Sequence, residues 1–195
     1  MKAILGIKKG MTRMFVDDKM VPVTIIDTST CKVVKRDGDQ VELGLLKVRH
    51  PSKAEIGQYK KLKYVPRFRK VFTGKFGEEV SIGDEVKTEI FNIGDEVTTV
   101  SKSKGKGFQG VVKRWGFKGG QRTHGQSDRL RAPGSIGAGT DPGRVWKGKK
   151  MGGRMGSDQI TLKERKVVAI KDNFLLISGP IPGPNGNPVA IFTAE

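Results

Sequence analysis

Residues 101–158 read SKSKGKGFQGVVKRWGFKGGQRTHGQSDRLRAPGSIGAGTDPGRVWKGKKMGGRMGSD, and this stretch constrains the fold of the whole chain. It has fourteen Lys and Arg residues against three acids, so it contributes +11 of the net charge of +17, and it holds 15 of the 27 glycines and both tryptophans. It has no apolar run that could form a core, and charge repulsion and glycine entropy both oppose compaction. We therefore expect a segment that is mobile on its own and is ordered by a polyanion, which glycine lets the backbone approach closely.

The segments on either side, residues 1–100 and 159–195, are predicted to be β-structure. Short β-branched runs separated by Gly and Asp are typical of an antiparallel meander or small barrel. Residues 53–62 are expected to be weakly helical, and residues 64–75 to be a basic, aromatic connector. The body is thus discontinuous in sequence, and residues 101–158 are a long functional excursion from it. The predicted strands are AILGI, TRMFV, VPVTIID, CKVVK, VELGLLKV, ITLKERKVVAIK, FLLIS and VAIFT.

A short repeat, IGDEV, occurs at residues 82–86 and again at residues 93–97. Each Gly-Asp pair predicts a turn that leads into a strand, VKTEIF after the first copy and VTTVS after the second. Carboxylates beside turn glycines are usually exposed turn residues, so we do not expect these acids to bind a metal ion.

The composition of the whole chain favours a polyanionic partner. A pI near 10.1 indicates nucleic acid rather than a membrane surface, since no basic amphipathic helix is evident and no apolar run approaches the ~18 residues of a spanning helix. Cys31 is the single cysteine, so an internal disulfide is impossible and a reducing, cytoplasmic setting fits. We expect Cys31 to be a small buried residue.

Several short motifs resemble enzyme signatures but lack the flanking elements or companion motifs that those enzymes require. Residues 105–110 match GxGxxG, but VVKRWGFKGG does not continue as a helix, and residues 168–171 spell VAIK in a chain without the other kinase motifs. Residues 143–150 approach a P-loop, but Lys150 occupies the position of the magnesium-binding hydroxyl. His50 and His124 lack companions for a metal site or a catalytic triad. We expect no catalytic residue, metal or cofactor. The alternatives are a DNA-binding architectural protein and an enzyme that acts on nucleic acid.

Longer motifs carry a family resemblance. SKSKGKGFQGVVKRWGF, THG, RAPGSIG and DPGRVWKGKKMGGRMG closely resemble the bacterial type of the universal large-subunit ribosomal protein three family. LGIKKGMTRMF and VELGLLKV fit the same family, so the resemblance covers essentially the whole chain. In two departures, Thr98 stands where an acid is expected, and residues 134–143 contain no Gln, so the modified Gln of some relatives is not expected here.

The resemblance implies a mainly β fold: a small antiparallel β-barrel of the translation-protein type with a long, largely irregular, basic, Gly-rich extension. It implies that the extension lies within large-subunit ribosomal RNA and reaches toward the peptidyl transferase centre. It also implies an early role in assembly near the 3′ end of that RNA, in the cytoplasmic ribosome. The implied neighbours are large-subunit ribosomal proteins fourteen and nineteen, with no membrane and no small-molecule substrate.

The candidate RNA-binding residues all lie in this basic stretch. The cations of its ingoing and outgoing limbs are assigned to phosphates, and the two tryptophans to base stacking or to packing the limbs together. His124, in the tip at residues 123–141, is assigned to stacking or hydrogen bonding. The candidates are Lys102, Lys104, Lys106, Lys113, Arg114, Trp115, Lys118, Arg122, His124, Arg129, Arg131, Arg144, Trp146, Lys147, Lys149, Lys150 and Arg154.

Overall fold

The computed structural model describes residues 1–62, 64–74 and 81–193 of the chain. The fold is mainly β, as predicted, and it divides into two compact units. Met1–Ser103 and Gln159–Glu195 make the first unit, called the body here, and Lys104–Asp158 make the second, called the basic unit.

The described elements are mostly strands. Their bounds, in chain order, are β1 Ala3–Val16, β2 Lys19–Asp27, β3 Cys31–Asp37, β4 Gln40–Lys47, α1 Lys53–Gln58, β5 Pro66–Thr73, β6 Glu96–Lys102, β7 Phe108–Gln109, α2 Val111–Trp115, β8 Gly153–Arg154, β9 Gln159–Lys171, β10 Phe174–Ser178 and β11 Pro188–Phe192. Two 3₁₀ turns, Lys60–Leu62 and Thr88–Ile90, complete the set.

Six strands of the body pair in a closed order, β1-β11-β6-β9-β10-β2, and β2 pairs back with β1. All six pairings are antiparallel, so each strand has a hydrogen-bonded neighbour on both sides. The strands β6 and β9 end their pairing at Lys102 and Gln159. The chain therefore leaves the body and returns to it at two directly paired residues.

The core of the body is built from the inward faces of these strands. Ile4, Ile26, Leu175 and Ile177 have no solvent-exposed surface, and they belong to one cluster that also includes side chains of the second sheet. Alternation of buried and exposed residues is what a strand with one face on a core requires. The predicted strands at both ends of the chain are thus confirmed.

A second sheet, β3-β4-β5, shows that the prediction of a connector at residues 64–75 was wrong over residues 66–73, and Lys75 lies outside the described residues. Residues 66–73 alternate, with Pro66 and Phe72 buried and Arg67 and Arg69 exposed, so this segment has the period of a strand. Pro66 is the first residue of the strand, a position that proline tolerates. Since β2 does not pair with β3 in either sheet, the strands of residues 1–50 are divided between two sheets.

The weakly helical segment begins with a capping box. The Ser52 hydroxyl accepts a hydrogen bond from the backbone N–H of Glu55 at 3.3 Å, and the Glu55 carboxylate accepts one from the Ser52 N–H at 2.8 Å. The second of these bonds lowers the pKa of Glu55. These two bonds satisfy backbone donors that an isolated short helix leaves free, which explains why α1 forms.

The two IGDEV copies form the same turn. In each copy the Asp carboxylate accepts a hydrogen bond from the backbone N–H three residues earlier, Ser81 to Asp84 at 2.8 Å and Asn92 to Asp95 at 3.0 Å. The glycine before each Asp has a positive φ, which glycine adopts without steric cost. The acids are turn residues, as predicted.

Of the two strands predicted to follow these turns, one is confirmed and one was wrong. The second copy leads into β6, whereas the first gives a single bridge from Glu85 to β3 and then the 3₁₀ turn. The Thr88 hydroxyl donates to the backbone carbonyl of Asp172 at 2.7 Å, and the turn places Phe91 in the core. Burial of Phe91 and this hydrogen bond therefore decide the local conformation over strand propensity.

Two glycines of β1 provide a matched test of core packing. A Cβ at Gly6 would lie 2.3 Å from Ile26 Cγ2, whereas a Cβ at Gly10 would have no neighbour within 4 Å. Gly6→Ala should therefore destabilise the protein by about 1–3 kcal/mol through overpacking. Gly10→Ala should stay within about 0.5 kcal/mol of wild type in urea unfolding. Equal effects of the two substitutions would contradict this packing.

Cys31 should behave as a buried thiol. Burial raises its pKa to about 12, against an ordinary value of 9.0, and its Sγ accepts a hydrogen bond from the Leu5 N–H at 3.4 Å. A thiol-specific reagent at pH 8 should therefore label the native protein far more slowly than the urea-unfolded protein.

The same shift predicts a pH dependence. Above pH 9 the unfolded thiol loses a proton that the folded state keeps, so stability falls as pH rises toward 12, by up to about 1.4 kcal/mol per pH unit. Cys31→Ala should remove this part of the slope when unfolding free energy is measured against pH. An unchanged slope would show that Cys31 ionises equally in both states.

Candidate nucleic-acid interface

The basic unit has two limbs, residues 104–122 and 144–157, with the tip between them, and the limbs pair near the ends of the segment. Phe108 is paired with Arg154 and Gln109 with Gly153 in the β7-β8 ladder. Beyond the ladder, the Lys106 N–H donates to the Met155 carbonyl at 2.9 Å, and the Met155 N–H donates to the Gly107 carbonyl at 3.0 Å. The ingoing and outgoing limbs are thus hydrogen-bonded to each other.

Some glycines of the unit serve this limb-to-limb contact. A Cβ at Gly156 would lie 2.1 Å from the Lys104 carbonyl oxygen, and a Cβ at Gly153 would lie 2.4 Å from Arg114 Nη1. Gly107 and Gly148, in contrast, have open space where a Cβ would stand. The glycines were expected to allow close approach to a polyanion, but Gly153 and Gly156 serve to bring the two limbs together.

A short helix follows the ladder. Val111–Trp115 form α2, which ends at Gly116 with φ 74°, where the N–H donates to the carbonyls of Val111 and Val112. The prediction that VVKRWGFKGG does not continue as a helix was wrong for its first five residues, because a single turn is too short to show a helical period. The side chain of Val111 is 4% exposed and is the one fully buried apolar side chain among the described residues of this unit.

Trp115 joins the two limbs. Its Nε1–H donates to the Met151 carbonyl at 2.8 Å, and the same carbonyl accepts a hydrogen bond from Arg114 Nη1 at 3.0 Å. The Arg114 guanidinium lies 4.9 Å from the centre of the Trp115 ring, and Lys150 Nζ lies 5.6 Å from it. These cation–π distances and hydrogen bonds give Trp115 a packing role within the unit.

Trp146 lies in a different environment. Its side chain is 58% exposed, and the Arg144 guanidinium lies 4.6 Å from the ring centre. The Trp146 carbonyl accepts a hydrogen bond from the Lys149 N–H at 3.3 Å, which closes a local turn. An exposed indole beside a guanidinium presents a flat, cationic surface on which a base can stack.

The tip is closed by backbone contacts. The Gly120 N–H donates to the Leu130 carbonyl at 2.9 Å. With its amide oriented to satisfy its neighbours, Gln126 accepts hydrogen bonds from the backbone N–H groups of Arg129, at 2.8 Å, and Leu130, at 3.2 Å. His124 is exposed, with φ 61°. The cations of the tip are therefore carried on a defined loop.

The candidate side chains are presented to solvent, with Arg114 half-buried. The structure brings Arg114, Trp115 and Lys150 together and pairs Arg144 with Trp146. Lys102 lies in the body, as the last residue of β6. The other candidates are exposed along the unit: Lys104, Lys106, Lys113, Lys118, Arg122, His124, Arg129, Arg131, Lys147, Lys149 and Arg154. Three acids cannot neutralise fourteen cations, so this surface has a strongly positive potential.

Sequence reasoning missed a basic cavity in the body. It has a volume of about 380 Å³, and its lining includes Arg67 and Lys70 of β5 together with Lys102 of β6. The sequence signal that could have found this cavity is the alternation of apolar and basic residues in PRFRKVF. That alternation predicts a strand with cations along one face. The cavity adds positive charge to the body itself.

Two other kinds of site are not found in the described part of the chain. No group of three or more His, Cys, Asp or Glu side chains is placed to hold a metal ion among the residues described. Within those same residues, no helix is long and apolar enough to cross a membrane.

Comparison with known proteins agrees with the sequence resemblance. A family model described as "Ribosomal protein L3" matches residues 72–175. The large ribosomal subunit protein uL3 of Chloroherpeton thalassium is 43% identical over 208 residues, covering 100% of both chains. The uL3 proteins of Chlorobium phaeovibrioides, 44% identical over 100% of both chains, and Thermosipho africanus, 39% identical over 100% of this chain and 99% of its own, are also similar.

These relatives are all constituents of the large ribosomal subunit by name. The chain belongs to the ribosomal protein L3 family. The family resemblance inferred from the sequence is therefore confirmed.

The role of Trp115 can be tested by amide exchange. Trp115→Ala removes the bond to Met151 and the ring between Arg114 and Lys150, so the Lys106 and Met155 amides should exchange at least several-fold faster. Trp146→Ala is the matched control, because the contacts of Trp146 with Arg144 and Lys149 are local, and it should leave those amides unchanged. Hydrogen–deuterium exchange followed by mass spectrometry measures both. Equal protection in the two variants would mean that Trp115 does not hold the limbs together.

Proposed function

We propose that this protein is a structural, non-catalytic constituent of the bacterial large ribosomal subunit and binds large-subunit ribosomal RNA directly. In this proposal residues 1–100 and 159–195 are a barrel of the translation-protein type, and residues 101–158 are an extension that penetrates the RNA. The observation that carries it is the exposure of nearly every cation in a segment with net charge +11. Such a surface gains free energy by releasing the counterions of a polyanion.

Features of the basic unit favour RNA over DNA. Its cations accompany exposed tryptophans on irregular backbone instead of a regular helix or ribbon that would fit a DNA major groove. RNA offers unpaired bases for stacking, 2′-hydroxyls and phosphates, and these are the groups that Trp, Arg and Lys recognise. Family membership points to the same polymer.

The seventeen candidate residues divide by role in this proposal. The limb cations bind phosphates, Trp146 offers a ring for stacking, and Trp115 maintains the shape of the unit. The tip supports the RNA around the peptidyl transferase centre without taking part in acyl transfer. Binding of the body and extension to RNA helps nucleate subunit assembly, in contact with ribosomal proteins fourteen and nineteen in the cytoplasm.

Salt dependence tests this RNA contact. If about ten cations neutralise phosphates, log K for a large-subunit ribosomal RNA transcript should fall against log salt with a slope near −7 to −9. Replacing Lys147 and Lys149 with Gln should make the slope shallower by about 2. A wild-type slope near −2 would contradict the assignment, and tighter binding to duplex DNA at equal salt would favour an architectural DNA-binding protein.

Deletion of the extension tests the division into two functional parts. Lys102 and Gln159 are directly paired, so an Asn-Gly turn in place of residues 103–158 should join β6 to β9 as a hairpin. The shortened protein should unfold cooperatively in urea but bind the same RNA far more weakly. Loss of cooperative unfolding would show that the body depends on the deleted segment. Unchanged affinity would show that the extension is not the main RNA anchor.

A further inference from the structure

Phe108 has the largest exposed fraction, 76%, of the large apolar side chains described in the basic unit. A phenyl ring in water forgoes the free energy of burial, so its exposure on an ordered backbone indicates that a partner covers it. Sequence reasoning assigned no site role to this residue, and the family comparisons assign none either.

The ring is held in place by the ladder beneath it. Phe108 lies on β7, directly opposite Arg154 on β8, and hydrogen bonds of Lys106 and Met155 fix the adjoining backbone. A Cβ at Gly152 would lie 3.4 Å from Phe108 Cε1 and Cζ, so the ring lies in contact range of that glycine. The ring is thus supported on one side by backbone and open on the other.

A cavity of about 650 Å³ lies beside this ring. Its lining includes Gly105, Gly107 and Gly156, which carry no side chains that would obstruct a flat ligand. A Cβ at Gly107 would meet nothing within 4 Å, so the space above that backbone is open. The volume lies within the ~300–1,000 Å³ typical of small-ligand sites, which is ample for one nucleobase.

One cation lines the same space, and a second lies close to it along the chain. Arg154 lines the cavity, and because directly opposite residues of a ladder share a face, its side chain and the Phe108 ring lie on the same side. Lys106 is two residues before Phe108 and is exposed. An aromatic face beside a guanidinium and an ammonium matches a base together with its flanking phosphates. The positive charge argues against an apolar protein side chain as the occupant.

We propose that Phe108 and Arg154 form a stacking site for one unpaired RNA base, with Arg154 and Lys106 binding the phosphates on either side of it. This inference rests on the proposed RNA-binding function and specifies a site within it. The site would also select single-stranded over helical RNA, since a nucleobase within a duplex cannot reach the ring.

The test uses the full chain and a large-subunit ribosomal RNA transcript. Phe108→Leu, which keeps an apolar side chain without the ring, should weaken binding by about 5- to 150-fold, whereas Phe108→Tyr should retain most of the affinity. Phe15→Leu is the matched control, because Phe15 in the body is 77% exposed, and it should leave binding unchanged. Loss of a stacking contact should leave the salt slope unchanged, whereas Arg154→Gln should make the slope shallower by about 1.

The outcomes separate this site from the broader function. Wild-type protein that binds RNA, with Phe108→Leu binding equally well, overturns the stacking site alone. Wild-type protein that does not bind overturns the proposed function and this site with it. Ultraviolet crosslinking of the wild-type complex should attach a base to the peptide containing Phe108, and this readout needs no substitution if a variant fails to fold. A crosslink from that peptide to another protein in assembled subunits, with none to RNA, also overturns the proposal.

Discussion

Uncompensated positive charge is the constraint on which the architecture depends. Fourteen cations and three acids lie in residues 101–158, while Val111 is the one fully buried apolar side chain described in the basic unit, so apolar burial offers little to offset the repulsion between the cations. Stability and exposure of cations are divided between the two units. A body with a continuous apolar core provides stability, while the basic unit keeps its cations in solvent and holds its limbs together with backbone hydrogen bonds.

The contacts inside the basic unit are of kinds that tolerate positive charge. Trp115 accepts two cations at its ring and donates to a carbonyl, so the same residue tolerates positive charge and joins the limbs. Glycine at positions 153 and 156 lets backbone and side-chain atoms approach where a Cβ would collide. The unit is therefore held by polar and cation–π contacts instead of apolar burial, which suits a segment whose surroundings are expected to be RNA.

Much of the body could be predicted from sequence because its strands show a period of two between clear turn residues. The exceptions have physical reasons. At residues 66–73, Arg67 and Arg69 read as a basic linker, although Pro66, Phe68 and Phe72 carry the strand alternation. After the first IGDEV copy, burial of Phe91 overrides strand propensity. In the basic unit, composition predicted an exposed cationic surface, but the paired limbs and the Trp115–Met151 bond depend on contacts across more than thirty residues, which no local pattern encodes.

The pairing of Lys102 with Gln159 has a consequence for how this family can vary. Because β6 and β9 hold the two ends of the intervening chain at one directly paired position, folding of the body already supplies the entropic cost of bringing those ends together. A twofold change in the length of the inserted chain then alters the closure free energy by only about 0.6 kcal/mol. The segment can therefore be lengthened or shortened at little cost in free energy, while the register of the strands that carry it stays the same.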